Sequence, residues 1–125
     1  MPEPAPDPIP TEIRLRRAAR LLEVSFADGS RYELPFEYLR VHSPSAEVKG
    51  HGPGQEVLVV GKENVGITAI EPVGQYAVKL VFDDGHDTGL YTWKYLGELG
   101  RERMEKWARY LARKARAARE GGPHS

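Results

Sequence analysis

Asp83-Asp84-Gly85-His86-Asp87 is the densest grouping of chemistry-bearing residues in the chain. An imidazole set among carboxylates suits zinc, iron or manganese, which take nitrogen and oxygen donors. His42 and His51 flank a long loop, and with His86 they make a three-histidine metal site if that loop folds back over the hairpin. The plainer reading of the same residues is structural. Asp-Asp-Gly makes a turn, His86 is a polar strand residue or hydrogen-bonds the aromatic cluster, and His42 and His51 are solvated. His124 lies in a tail and carries no argument.

Other chemistries are poorly supplied. Gly50-His51-Gly52-Pro53-Gly54 lacks the Lys-Ser/Thr that follows a phosphate-binding loop and is not wedged between a strand and a long helix. Ser43 and Ser45 sit in no Gly-x-Ser-x-Gly elbow, so serine catalysis has no support. The carboxylates are spread through turns and strand faces, with no pair set for acid and base work. No enzyme, and no small-molecule substrate, is expected. The C-terminal segment carries Arg101, Arg103, Lys106, Arg109, Arg113, Lys114, Arg116 and Arg119. Through Arg109, Arg113 and Arg116 such a helix can meet a phosphate backbone, although no nucleic-acid motif accompanies it and charged helix faces are usually solvated.

Composition narrows the field further. The 125 residues have a formal net charge of zero, so no whole-molecule field selects nucleic acid, membrane or an acidic substrate. There is no cysteine, which removes disulfides, thiolate metal sites and cysteine nucleophiles together. No apolar run approaches the ~18 residues of a membrane span, and the N-terminus lacks the charge and apolar segment of an export signal. A soluble, cytoplasmic protein is the expectation.

These residues must be positioned by short elements. Met1 to Pro10 has proline at nearly every second position and reads as a disordered tail. Thr11–Arg17, Leu22–Phe26 and Tyr32–Leu34 alternate with a period of two and predict three antiparallel strands. Phe36–Val41 predicts a short helix. His42–Gln55 is a long loop, Val57–Val60 another short strand, and Ile67–Val73 a longer one. The stretch from Tyr76 to Leu99 then organises the chain: a strand with Val78, Leu80 and Phe82 on one face, an Asp-Gly turn, a second strand, and Tyr91, Trp93 and Tyr95 opening onto a helix. Leu21 to Arg40 is a weaker copy of it. Phe26 aligns with Phe82, Asp28-Gly29 with Asp84-Gly85, and Phe36-Glu-Tyr-Leu39 with Trp93-Lys-Tyr-Leu96 after a one-residue shift. Two hairpin-plus-helix units facing one core are therefore expected. From Arg101 to Arg119 the pattern becomes helical, with Met104, Trp107, Ala108, Leu111, Ala115 and Ala118 on the face expected to be buried. The fold class is α+β: small antiparallel hairpin layers, a short helix and a long C-terminal helix. The organisation is a tail over 1–10, a domain over 11–100, a helix over 101–120 and a second tail over 121–125.

Three stretches together resemble a known family. Leu39-Arg40-Val-His-Ser43-Pro44-Ser45-Ala46-Glu47-Val48, Gly50-His-Gly-Pro-Gly54, and the Asp84-Gly85-His86 to Tyr91-x-Trp93-x-Tyr95-Leu96 run are similar to the gamma-butyrobetaine-hydroxylase N-terminal-like domain. That domain occurs as a small stand-alone bacterial protein. It also occurs fused to 2-oxoglutarate-dependent oxygenases and to P-loop scaffold proteins of iron–sulfur assembly. In the oxygenases the resemblance implies a structural zinc module, held by a Cys-x-Cys-x-x-Cys run and a histidine, that mediates association. Here the three cysteine positions fall on Ser43, Ser45 and Val48, and His86 alone remains. The resemblance thus argues against zinc of that design, and against a fold that depends on metal. Hydrogen bonds from Ser43 and Ser45, with packing by Val48, are expected to fill the space.

The functional expectation is a non-catalytic binding or adaptor domain that docks on a protein partner or self-associates. The resemblance places it near iron–sulfur assembly or oxygenase metabolism. His86, Tyr91, Trp93 and Tyr95 form the expected partner surface, and no cofactor is expected. The alternative is a metal-binding protein holding iron or zinc through His86 with His42 or His51; nucleic-acid binding by the basic helix is the weaker alternative.

Overall fold

A computed structural model of the chain describes residues 9–45, 48 and 57–121. The readings placed on 1–8, on most of the 46–56 loop (His51 included) and on 122–125 lie outside the described residues. Strands β1 (Pro10–Arg16), β2 (Leu21–Phe26) and β3 (Arg31–Pro35) form an antiparallel sheet in that order, and helix α1 (Phe36–Val41) follows. Strands β4 (Ile67–Val73), β5 (Ala77–Phe82) and β6 (Leu90–Thr92) repeat the arrangement and lead into α2 (Trp93–Arg101). Helix α3 (Arg103–Gly121) comes last, after a break at Glu102.

The two Asp-Gly turns are copies in geometry as well as sequence. Gly29 and Gly85 both take φ of +91°, a conformation that costs glycine little and other residues more. Gly29 N–H donates to the Phe26 carbonyl at 3.1 Å, and Gly85 N–H to the Phe82 carbonyl at 3.2 Å. Asp28 Oδ1 accepts the Ser30 amide at 2.9 Å, and Asp84 Oδ1 accepts the His86 amide at 3.1 Å. Each aspartate thereby fixes its own turn through the backbone two residues on.

Both units bury one common interior. Leu22, Val24, Phe26, Leu34, Phe36, Tyr38 and Leu39 from the first unit pack with Ile67, Val78, Leu80, Phe82, Tyr91, Leu96 and Leu99 from the second. Alternation explains the choice: in β5, Val78, Leu80 and Phe82 point inward on one face of the pleat. The helices are then tied across the interface reciprocally. Tyr38 of α1 donates its hydroxyl to the Leu99 carbonyl of α2 at 2.7 Å, and Tyr95 of α2 donates to the His42 carbonyl that ends α1 at 2.6 Å. Each bond satisfies a carbonyl that a helix end leaves without an internal partner.

Two expectations are corrected. Val57–Val60 forms no strand; Val57 N–H donates to the Val48 carbonyl at 2.7 Å, and Val57 and Val60 are exposed. On the C-terminal helix Trp107 docks as expected, but it does so with Tyr110 and Lys114, while the rest of the expected face, Met104, Ala108, Leu111, Ala115 and Ala118, is exposed. Trp107 meets the Tyr38 ring edge-on with centroids 6.2 Å apart, and Tyr110 donates to Glu37 Oε2 at 3.0 Å. Lys114 reaches Glu63 at 2.7 Å and Glu37 at 3.8 Å. Two large aromatics with a polar tip offer more area and better-satisfied ends than a face made mainly of alanine.

Candidate functional site

The turn after β5 sets His86 opposite Phe82, whose amide donates to the His86 carbonyl at 3.0 Å, and the His86 side chain is buried. Facing it, the segment after α1 brings in Ser43. Ser43 Oγ and His86 Nε2 are hydrogen-bonded at 2.8 Å, and both residues are buried. Ser43 Oγ also accepts the Ser45 amide at 3.3 Å, and Ser45 in turn accepts the Val48 amide on its carbonyl at 3.0 Å. Val48 is buried beside them. The four positions that the family resemblance singles out therefore gather at one buried place, where α1 ends and the second hairpin turns.

That place does not fit zinc. Val48 has no donor atom, the serine hydroxyls are not thiolates, and the Nε2 atom of His86 faces Ser43. Ser43 does make its expected hydrogen bond. Ser45 does not: its Oγ is buried with no partner among the described residues, as is Arg40 Nη1. Gly89 closes the far wall, where a Cβ would overlap Ser43 Oγ and stand 3.2 Å from Pro44 Cδ and from Tyr91 Cε1. Tyr91 donates its hydroxyl to the Leu39 carbonyl at 2.6 Å. Burial pushes its phenol well above the ordinary range, with the Ser43 hydroxyl opposing.

Asp84 is the charged edge of the site. Its Oδ2 pairs with Lys62 at 2.6 Å and with Arg40 at 2.9 Å. Burial raises the carboxyl, but the bonds from Lys62, the His86 amide and Arg40 outweigh it and hold the group at about 2. His42 turns away, with Nδ1 bonded to the Tyr38 carbonyl at 3.0 Å. Burial lowers its pKa, the Tyr38 carbonyl opposes, and Lys106, Arg109 and Arg113 add to the lowering.

Among the described residues no three of His, Cys, Asp and Glu stand together as metal ligands. His86 and His42 go to separate hydrogen-bond partners, and His51 lies outside the described residues. The expected partner surface is also redistributed. His86 and Tyr91 are buried, and Tyr95 is half-buried with its hydroxyl committed to His42. Trp93 is half-buried at a corner, its indole N–H donating to the Gln75 carbonyl at 2.7 Å and its amide to the Tyr76 carbonyl at 3.0 Å. Beside it Tyr76, not singled out in the sequence, is 69% exposed. Its place in the tight turn at Gly74, whose φ is +60°, was the available signal. Arg109, Arg113 and Arg116 are exposed on α3. No described helix is long and apolar enough to cross a membrane.

Residues 13–97 match the family model described as gamma-butyrobetaine hydroxylase-like, N-terminal. Among solved structures the chain is similar to two proteins known from NMR solution structures. One is 55% identical, with a TM-score of 0.78 over 95% of this chain and 88% of the other. The second is 52% identical, with a TM-score of 0.78 over 90% of this chain and 89% of the other. It is also similar to a crystal structure of a protein of unknown function from Acidithiobacillus ferrooxidans, 45% identical, with a TM-score of 0.62 over 73% of this chain and 91% of that one. No curated protein matches the chain. By the span of that match, and by identities well above 30% along most of its length, this chain belongs to the gamma-butyrobetaine hydroxylase-like N-terminal family.

Proposed function

We infer that the chain is a non-catalytic binding domain that docks on a protein partner. The observation that carries this reading is the division of labour among its aromatic and polar side chains. Those with chemistry to offer are engaged inside: Ser43 with His86, Tyr91 with Leu39, Tyr95 with His42. A buried hydroxyl held by neighbours cannot reach a substrate, however close its imidazole lies. Among the apolar surface left in solvent, aromatic side chains come together at the corner where the β4–β5 turn meets α2, with exposed Tyr76 beside half-buried Trp93. Tyrosine and tryptophan at such a corner are the residue types that anchor protein contacts. Partners from iron–sulfur assembly or oxygenase metabolism are the family context for this reading.

A photo-crosslinking residue at position 76 in the full chain, expressed in cells, tests the corner. A discrete crosslinked protein that an excess of the wild-type chain displaces, and that the Tyr76→Glu chain fails to displace, is the expected result. Equal displacement by wild type and Tyr76→Glu removes the corner as the docking surface.

A further inference from the structure

Helix α3 docks on the domain through Trp107, Tyr110 and Lys114, and turns a second face outward. Met104, Ala108, Leu111, Ala115 and Ala118 recur along it at alternating spacings of four and three, the seam of a coiled coil. All five are exposed, Met104 by 87% and Leu111 by 45%. The helix also lies beyond the residues that the family model matches.

We propose that this face is a contact between two copies of the chain, with their α3 helices antiparallel about a two-fold axis at Leu111. The side-chain sizes along the seam fit that arrangement. Leu111 meets Leu111 of the second copy at the axis, Ala108 faces Ala115, and Met104 faces Ala118. A large residue opposite a small one at the ends, and alanines opposite each other beside the axis, let the helices close without overlap.

The charges along the seam agree with the same register. In an antiparallel pair each flank meets the same flank of the other helix. Glu105 lies on one flank, and the two-fold sets it opposite position 117, between Arg116 and Arg119 on that flank. Each helix end thus carries a carboxylate facing two guanidinium groups, twice per pair. Glu105 is free to turn there, since its pairing with Arg109 is long, 3.8 Å, with both side chains mostly exposed. A parallel pairing would set Glu105 against the flank that carries Trp107 and lose this match. The contact is separate from the Tyr76 corner, so each stands or falls without the other.

Sedimentation velocity of the full chain from about 5 μM to about 1 mM tests it, the range in which a small helix–helix contact populates its dimer. The wild type is expected to rise from one chain mass toward two with concentration. Leu111→Glu and, at the still more exposed position, Met104→Glu are expected to stay at one chain mass while remaining folded. Glu105→Arg is expected to weaken dimerisation about tenfold or more, because like charges then face each other. The triple variant E105R/R116E/R119E is expected to restore it. A wild type that stays at one chain mass throughout overturns the proposal. So does a dimer that Leu111→Glu leaves intact, or a triple variant no stronger than Glu105→Arg.

Discussion

The wall between Ser43 and Gly89 makes a prediction that depends on one hydroxyl serving two roles. Gly89→Ala adds a methyl group that overlaps Ser43 Oγ and comes within 3.2 Å of Pro44 and Tyr91. Forcing a methyl into a packed site costs about 1–3 kcal/mol. Ser43→Ala removes the hydroxyl that faces His86 Nε2 and takes the acceptor from the Ser45 amide, a loss of about 1–3 kcal/mol for buried groups. If the two effects were independent, the double variant would lose about 2–6 kcal/mol. They are not independent, because the atom that Gly89→Ala strikes is the atom that Ser43→Ala deletes. The double variant is therefore expected to be less destabilised than the sum by about 1 kcal/mol, well outside the additivity error of about 0.3–0.5 kcal/mol. Pro44 Cδ and Tyr91 Cε1 remain in place, so the relief is partial. Urea denaturation of the four proteins, with a common slope, measures the coupling. Additivity within error, or a cost below about 0.5 kcal/mol for Ser43→Ala, would refute the placement of the serine hydroxyl between His86 and Gly89.

Three further outcomes follow from the same geometry. Ser45→Ala deletes a buried hydroxyl without a partner among the described residues, so it is expected to be neutral or stabilising by up to about 1 kcal/mol in the same urea titration, opposite in sign to Ser43→Ala. Tyr38→Phe and Tyr95→Phe each leave a helix-end carbonyl without its donor; each is expected to lower the unfolding midpoint by the equivalent of about 1 kcal/mol, with near-native circular dichroism. Asp84 is held at about 2 against an unfolded value of 3.8, so its contribution is complete above pH 4 and disappears as pH falls through 2. That shift, discounted for partial exposure, is worth roughly 1–2 kcal/mol. Asp84→Asn should therefore be less stable than wild type at pH 7 and equal to it near pH 2; a gap independent of pH would refute the ion-pair account.

Much of the architecture was legible in the residues. A period of two marks β2 and β5, and Asp28-Gly29 and Asp84-Gly85 supply the turns, because a positive φ beside an aspartate is a local requirement. The repeat followed as well, since it needs only the alignment of Phe26 with Phe82 and of Tyr38 with Tyr95. What a chain read in order does not carry is which of several similar side chains finds room. Ser43 and Ser45 are two residues apart and alike in chemistry, yet one bonds His86 and the other has no partner among the described residues. Distance across the interface to the second turn separates them, and that distance depends on both units packing together.

The same holds for α3. Helical spacing identifies the helix and offers two apolar faces, but burial goes to the face whose partners exist. Glu37 and Glu63 lie where Tyr110 and Lys114 can reach them, and so the Met104–Leu111 stripe is left in solvent. Local order in this protein is written in turn chemistry and periodicity, both short-range. The choice of partner for His86, and of the docked side for α3, was made by groups more than forty residues away in the chain, which only the closed tertiary fold brings within reach.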